Sequence, residues 1–307
     1  MATTDHPGAV DLHCHSSASN GAAGKPPAIA EFYADHGYEA FGLTEHNNWN
    51  SLEAARAAAD AAGIEYVPGV EITCQVDDDD LVRAETGSNE TPTQDVLCFY
   101  YDQTPELEEV VDRAFNRTNE WIQTGLRRLR EAEIVDIDED ELWALTRDRF
   151  GEDDEWKSPL DCVIPLGKAL DQRGLVQDGE RTNTAARRLL GEVYPPSELP
   201  SLPTATETSE AIRAAGGVAI LAHPAGSSGE ATPEEQARLE RCLDGYVDGL
   251  EIFHPKNGSA YRSMLLDIAR EHDCPFTGGS DRHSYGASQP MSDAPRECLD
   301  RLKAAAN

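Results

Sequence analysis

The sequence predicts an α/β fold of barrel type, with a block of helices inserted between its two halves. Three observations point there. Strand-like apolar runs alternate with helix-patterned segments in residues 1–104 and again in 205–307, the pattern of parallel α/β architecture. Residues 105–204 read as helix alone, with Trp121, Leu126 and Leu129 at helical spacing. Six runs carry a histidine or a carboxylate where a strand should end: Asp11-Leu12-His13-Cys14-His15, Leu43-Thr44-Glu45-His46, the Gly69–Thr73 run through Glu71, Leu221-Ala222-His223-Pro224, the Glu251–Pro255 run through His254, and the Gly278–His283 run through Asp281. Strand ends of that kind supply the active site of an α/β barrel.

Element by element, a strand over Val10–His15 leads to a helix over Pro27–His36, ended by Gly37. A second strand, Glu39–Thr44, runs into Glu45-His46, and the alanine-rich helix from Ser51 stops at Gly63. A third strand, Glu65–Val70, ends at Glu71, and Asp95–Tyr101 reads as another. The helical block closes in a proline-rich linker, Tyr194–Pro203. Alternation then resumes with helix Thr208–Ala215, strand Val218–Leu221 before His223, strand Gly249–Phe253 before His254, helix Ala260–His272, and strand Pro275–Thr277 before Asp281.

At 307 residues and 39% apolar content the chain can bury a barrel-sized core. Its formal charge of −31, with 57 acidic residues against 26 basic ones of which only five are lysine, is extreme. The acids are spread through the chain, and concentrated salt, with a Debye length of about 3 Å at 1 M, would screen their repulsion. We therefore expect a halophilic, salt-accumulating source, archaeal in type; an acidic surface that recruits a basic partner is the competing reading. The seven cysteines form no CxxC pair, which suits a reducing compartment. No apolar run approaches the ~20 residues that span a bilayer, and no charged and apolar leader opens the chain. A cytoplasmic protein with no membrane association and no obligate protein partner is expected.

Alternate side chains of a strand share a face, so Asp11, His13 and His15 are expected to point one way and Leu12 and Cys14 the other. Two imidazoles on one face chelate an ion, and a carboxylate can orient one of them through its second nitrogen. Asp77–Asp80 reads instead as a solvated charge run. His6, His36 and His272 lie in the tail or at helix ends and read as solvated or capping.

Asp-x-His-x-His followed by Ser-x-x-Ser-x-Gly, then Leu-Thr-Glu-His, Gly-Val-Glu, Ala-His-Pro and Gly-Ser-Asp-x-His resembles the polymerase-and-histidinol-phosphatase (PHP) family of metal-dependent phosphoesterases. The resemblance covers 1–104 and 205–300 and implies a distorted seven-stranded (β/α) barrel with two or three divalent metal ions. Carried over, it implies that His13 and His15 hold a first metal with Glu71 and Asp281. Glu71 then bridges to a second metal held by His223, and His46 with His283 holds a third. Mixed imidazole and carboxylate ligation suits manganese, iron or zinc better than magnesium. Beside the ligands, Asp11, Glu45 and His254 are candidates for catalytic or supporting work, and Asn20, Lys25, Lys256 and Arg282 for binding substrate. Arg282, with inward-pointing neighbours, could equally point away.

Three departures from the family pattern stand out. Asn20 replaces an aspartate expected at the third metal. Leu97 occupies a strand where relatives carry a histidine, so the second metal lacks a ligand unless Asp95 or His254 substitutes. Val163-Ile164-Pro165 stands where the nucleotide-cleaving subgroup carries Arg-Pro-His. The expected activity is hydrolysis of a small phosphomonoester, such as a nucleotide, by metal-activated water. The alternatives are a 5'-3' exonuclease or phosphodiesterase on short oligonucleotides and a degenerate barrel that binds metal or a ligand and regulates. Trp121, Tyr194 and Tyr261 could stack bases or simply pack. Residues 105–204 are expected to roof the site and select substrate.

Overall fold

The computed structural model describes residues 6, 8–19, 21–76, 93–150, 163–225, 229–286 and 289–306, residues 148–150 by their backbone alone. Nine strands and ten α-helices are present among them. The strands are β1 (Ala9–Cys14), β2 (Ala40–His46), β3 (Glu65–Tyr66), β4 (Gly69–Gln75), β5 (Thr93–Phe99), β6 (Val218–Leu221), β7 (Gly249–Phe253), β8 (Phe276–Gly278) and β9 (Ala294–Pro295). One sheet joins them in the order β8-β7-β6-β5-β4-β2-β1-β9, with β3 beside β2. The sheet curls until its ends nearly meet. Cys14 bridges in parallel to Arg282, Asp281 N donates to the His13 carbonyl at 2.8 Å, and His15 N donates to the Arg282 carbonyl at 3.0 Å.

Two strand expectations are corrected. The third strand breaks at Pro68, which has no N–H to give a ladder, and resumes as β4, so Glu71 sits inside a strand. β4 extends to Gln75 because it pairs over its whole length with β5. The sheet is also not uniformly parallel: β1–β2–β4 and β6–β7–β8 are parallel, whereas β5 runs antiparallel to both of its neighbours. The start of β5, not its end, therefore shares the mouth with the carboxyl ends of the others.

The helices are α1 (Pro26–Asp35), α2 (Leu52–Ala62), α3 (Pro105–Glu131), α4 (Glu139–Phe150), α5 (Val163–Gln172), α6 (Thr182–Val193), α7 (Ala205–Ala214), α8 (Pro233–Gly245), α9 (Ser259–Glu271) and α10 (Arg296–Ala305). α7 begins earlier than its apolar pattern suggests because Thr204 and Glu207 form a reciprocal capping box. The sequence reading missed α8 and α10. The long helix α3 has Pro105 in its first turn, a Thr104 cap, Glu106 and Glu108 near its start and Arg128 and Arg130 near its end, all matched to the helix dipole. Its apolar stripe serves two cores. Leu107, Val110, Val111 and Ala114 join the barrel cluster, while Ile122, Leu126 and Leu129 join a separate cluster with Leu142, Leu166, Leu170 and Leu190. No described helix is long and apolar enough to cross a membrane.

The aromatic residues of the helical block are used in packing. Trp121 Nε1 donates to the Tyr194 carbonyl at 3.1 Å, and the Tyr194 ring lies under Arg128, 4.3 Å from its centroid. Buried Tyr261, outside that block, donates to the Pro224 carbonyl at 2.9 Å.

Candidate metal centre

β1 delivers the central pair. Its register with β2 shifts between Asp11 and Cys14, a bulge that inserts one residue and breaks the alternation of faces. The expectation that Asp11 shares a face with His13 and His15 is corrected accordingly. Asp11 joins Cys14 on the side of α1, where it accepts from Tyr33 OH at 2.7 Å and from Ser280 N at 2.9 Å. It thus braces the loop after β8 from outside the mouth, and burial raises its pKa above the ordinary carboxyl range.

At the mouth, Glu71 Oε2 lies 3.4 Å from His13 Nε2, 3.4 Å from His15 Nε2 and 3.2 Å from His46 Nε2. Asp281 Oδ1 lies 3.3 Å from His15 Nε2 and 3.8 Å from His13 Nε2. The other oxygen of Glu71 faces His223 Nε2 at 3.0 Å, and Asp95 Oδ2 approaches the same nitrogen at 3.6 Å. Three groups of metal-ligating type result: His13, His15 and Glu71; Glu71, Asp95 and His223; and His15, His46 and His283. Asp95 reaches the mouth because β5 is antiparallel, and Leu97, two residues deeper on the same face, is fully buried.

The hydrogen bonds behind the rings decide what they offer. His13 Nδ1 lies 2.9 Å from Glu251 Oε1, and His283 Nδ1 lies 2.9 Å from the Asp281 carbonyl. Both partners only accept, so in the neutral ring each Nδ1 carries the proton and each Nε2 presents a lone pair. His15 Nδ1 lies 3.1 Å from Ser19 Oγ. That hydroxyl donates to Glu45 Oε2 at 2.5 Å and accepts from His46 N at 2.8 Å, which leaves His15 Nδ1 as a second donor to it. Glu45 also accepts from Ser16 and from Ser51 Oγ at 2.6 Å, so its work is to fix the loop that orients His15. His254 is the opposite tautomer. Its Nδ1 accepts from Lys256 N at 3.2 Å, so Nε2 carries the proton and points at Asp281 Oδ2, 3.6 Å away. It is placed as a hydrogen donor rather than as a ligand.

The residues fit divalent ions. His13 Nε2, His15 Nε2 and Glu71 Oε2 are buried without a hydrogen-bond partner among the described residues, a costly condition that a cation removes. The electrostatics agree. Burial opposes charge on His13, but Glu251 and Glu71 hold its pKa well above the ordinary imidazole range. Burial likewise opposes charge on His223, but Glu71 and Asp95 lift it to about 9. Glu71 and Asp281 are held well below the carboxylate range by the surrounding imidazoles, against burial. His15 is pushed down by burial and by His46 and His283. The cradle thus draws positive charge to one point. His223 and Asp281 adopt left-handed backbone, with φ of 28° and 51°, strain of the kind functional sites hold.

The candidate substrate residues divide. Lys256 stands at the rim, half-exposed, with Nζ 3.5 Å from Asp281 Oδ2. Exposed Lys25 precedes α1, two residues after Ala23, whose N–H donates to the His283 carbonyl at 2.8 Å. Asn20 and Asp77–Asp80 lie outside the described residues. The expectation for Arg282 is corrected. Its buried guanidinium donates to the carbonyls of Ser284, Gly286, Gln289 and Pro290 and so ties down the loop that carries His283. Sequence reading assigned no role to Glu251. A single glutamate inside the otherwise apolar β7 was the available sign, because a carboxylate in a buried strand needs partners.

Known proteins resemble this chain in sequence and in fold. The family model for the PHP domain matches residues 11–162. A 5'-3' exoribonuclease of Haemophilus influenzae is 29% identical over 279 residues, 89% of this chain and 89% of its own length. The 5'-3' exoribonuclease Rnm of Escherichia coli is 23% identical over 290 residues, 92% of this chain and 88% of its own. A Bifidobacterium adolescentis protein, provisionally designated a metal-dependent phosphoesterase, shares the fold with a TM-score of 0.70 and 22% identity over 96% of both chains. The matched stretch, about half of the chain, contains His13, His15, His46, Glu71 and Asp95 of the cradle.

Proposed function

We propose that this chain, a metal-dependent hydrolase of phosphoric esters, acts on a small phosphorylated substrate of the nucleotide class at the mouth of its barrel. The observation that carries the reading is the convergence of His13 Nε2, His15 Nε2 and Glu71 Oε2, all buried and without a hydrogen-bond partner among the described residues, beside Asp281. His13, His15, Glu71 and Asp281 would hold one divalent ion and Glu71, Asp95 and His223 a second. His46 and His283, with His15 beside them, are the group for a third, and manganese, zinc or iron suits these donors. When bound, such ions lower the pKa of water and offset charge on phosphate oxygens. His254 presents an N–H to the same space, placed to donate to a phosphoryl oxygen, and Lys256 supplies a rim cation.

A second reading is favoured by the two curated relatives, both named 5'-3' exoribonucleases and both aligned over about nine tenths of their length. On that reading the substrate is a short RNA from which nucleotides are removed in order. We assign residues 105–204 to substrate selection on either reading. The α5 side chain Ile164 lies within van der Waals reach of Gly21, in the loop that follows His15. An acidic, salt-adapted cytoplasm remains the reading of the −31 charge.

The test is turnover of the manganese-loaded protein on a mononucleotide and on a 5'-phosphorylated tetraribonucleotide. Release of inorganic phosphate from the first alone supports the monoesterase. Stepwise mononucleotide release from the second supports the exonuclease. No turnover of either, with metal bound, contradicts both and returns the degenerate, ligand-binding barrel.

A further inference from the structure

Among the described residues, Glu251 is the one carboxylate behind the cradle that faces two of its histidines at once. It rises from the middle of β7, with its side chain 0% exposed. Oε1 lies 2.9 Å from His13 Nδ1, and Oε2 accepts from His223 N at 2.7 Å. The strand end that carries it is fixed as well, since Asn257 Nδ2 donates to the Glu251 carbonyl at 3.2 Å and to that of Ile252 at 2.8 Å. A charge buried this deeply is expensive, and an apolar residue would serve packing better. His223, moreover, is held at a φ of 28°, a conformation that costs energy for a residue with a side chain. Both features act on residues from two different ion groups.

We infer that Glu251 is a positioning residue shared by two cation sites, one oxygen fixing the His13 ring with Nε2 bare and the other holding the His223 peptide so that its ring meets Glu71 and Asp95. The inference rests on the reading of the mouth as a metal centre. Glutamine at this position tests it sharply. Both partners are donors, and an amide has one accepting oxygen and one donating nitrogen. Glu251→Gln can therefore satisfy only one of the two contacts and supplies no charge to either.

The experiment is titration of the full chain, stripped by chelator, with cobalt, which reports each ion by its own visible absorption. The wild type takes up at least two ions. Glu251→Gln lowers the affinity of both the His13 and the His223 sites, by about 10- to 100-fold, the usual effect of losing a carboxylate behind a ligand. Asp95→Asn, the one-site control, lowers only that of the His223 site. Unchanged affinities in Glu251→Gln overturn the shared role and leave the metal reading standing. Fewer than two ions in the wild type overturns both. Should the glutamine variant not fold, nitrogen-15 histidine spectra of the zinc-loaded wild type decide. The inference requires His13 as the Nδ1–H tautomer, and an Nε2–H tautomer overturns it.

Discussion

The barrel mouth and the helical block treat charge in opposite ways. In the block, charges compensate one another at the surface: Arg128 meets Glu198 at 2.7 Å, Arg173 meets Glu141 at 2.6 Å, and Arg188 meets Glu180 at 3.0 Å. Beneath them lies an apolar core of leucines. At the mouth, imidazoles and carboxylates are buried together, and several of their atoms lack hydrogen-bond partners among the described residues. The first arrangement is complete in the protein alone. The second, on the proposed reading, would be completed by a cation, and this contrast separates a structural charge cluster from a candidate site.

The variants that break the contrast most strongly act on the mouth. His13→Ala or Asp281→Ala is expected to remove an ion and to lower turnover by more than about 100-fold, exceeding the loss of an outer partner. Elemental analysis alongside a phosphate-release assay checks this, and full activity in either variant contradicts the site. In the block, Leu190→Ala opens a cavity beside Gly125, whose Cα faces the Leu190 side chain. A cost of about 3 kcal/mol is expected from thermal or urea unfolding, with metal content at the barrel unchanged.

Arg282→Lys probes the loop between fold and site. A lysine has three donors on a rotating head and cannot reproduce the planar set that reaches four carbonyls. Destabilisation of about 2 kcal/mol is expected, together with weaker binding of any ion held by His283, read by titration against the wild type. The smallest effect lies at the α7 cap, where Thr204→Ala should cost about 1 kcal/mol. Glu207 in the same box is held below its ordinary pKa by the Thr204 N–H, against burial, and by Arg113. For an acid with a depressed folded pKa, the stabilisation is full above the unfolded pKa and is lost as pH falls through the folded one. The difference in melting temperature between wild type and Glu207→Gln should therefore be present at neutral pH and vanish in acid.

Much of this architecture was legible because its elements are locally encoded. Strand-helix alternation identified β1, β2, β6, β7 and β8, and the motif histidines that end these runs are the ones the structure brings together. What escaped depends on pairing between distant segments. The bulge that sends Asp11 outward is a register event between β1 and β2. The antiparallel β5, which delivers Asp95 and buries Leu97, follows from its neighbours and not from its own pattern. Tautomers were likewise invisible: His254 looks like the other histidines in sequence, and only the Lys256 N–H on its Nδ1 makes it a donor. α8 and α10 were missed because their apolar positions are few among charged ones.

The most direct test of the central claim is the number of divalent ions per chain, measured by elemental analysis after loading with manganese or zinc and exhaustive dialysis, in wild type and His13→Ala side by side. The account predicts at least two ions in the wild type and a loss of at least one in the variant. A wild type that retains fewer than two, or a variant that retains the full complement, would contradict it.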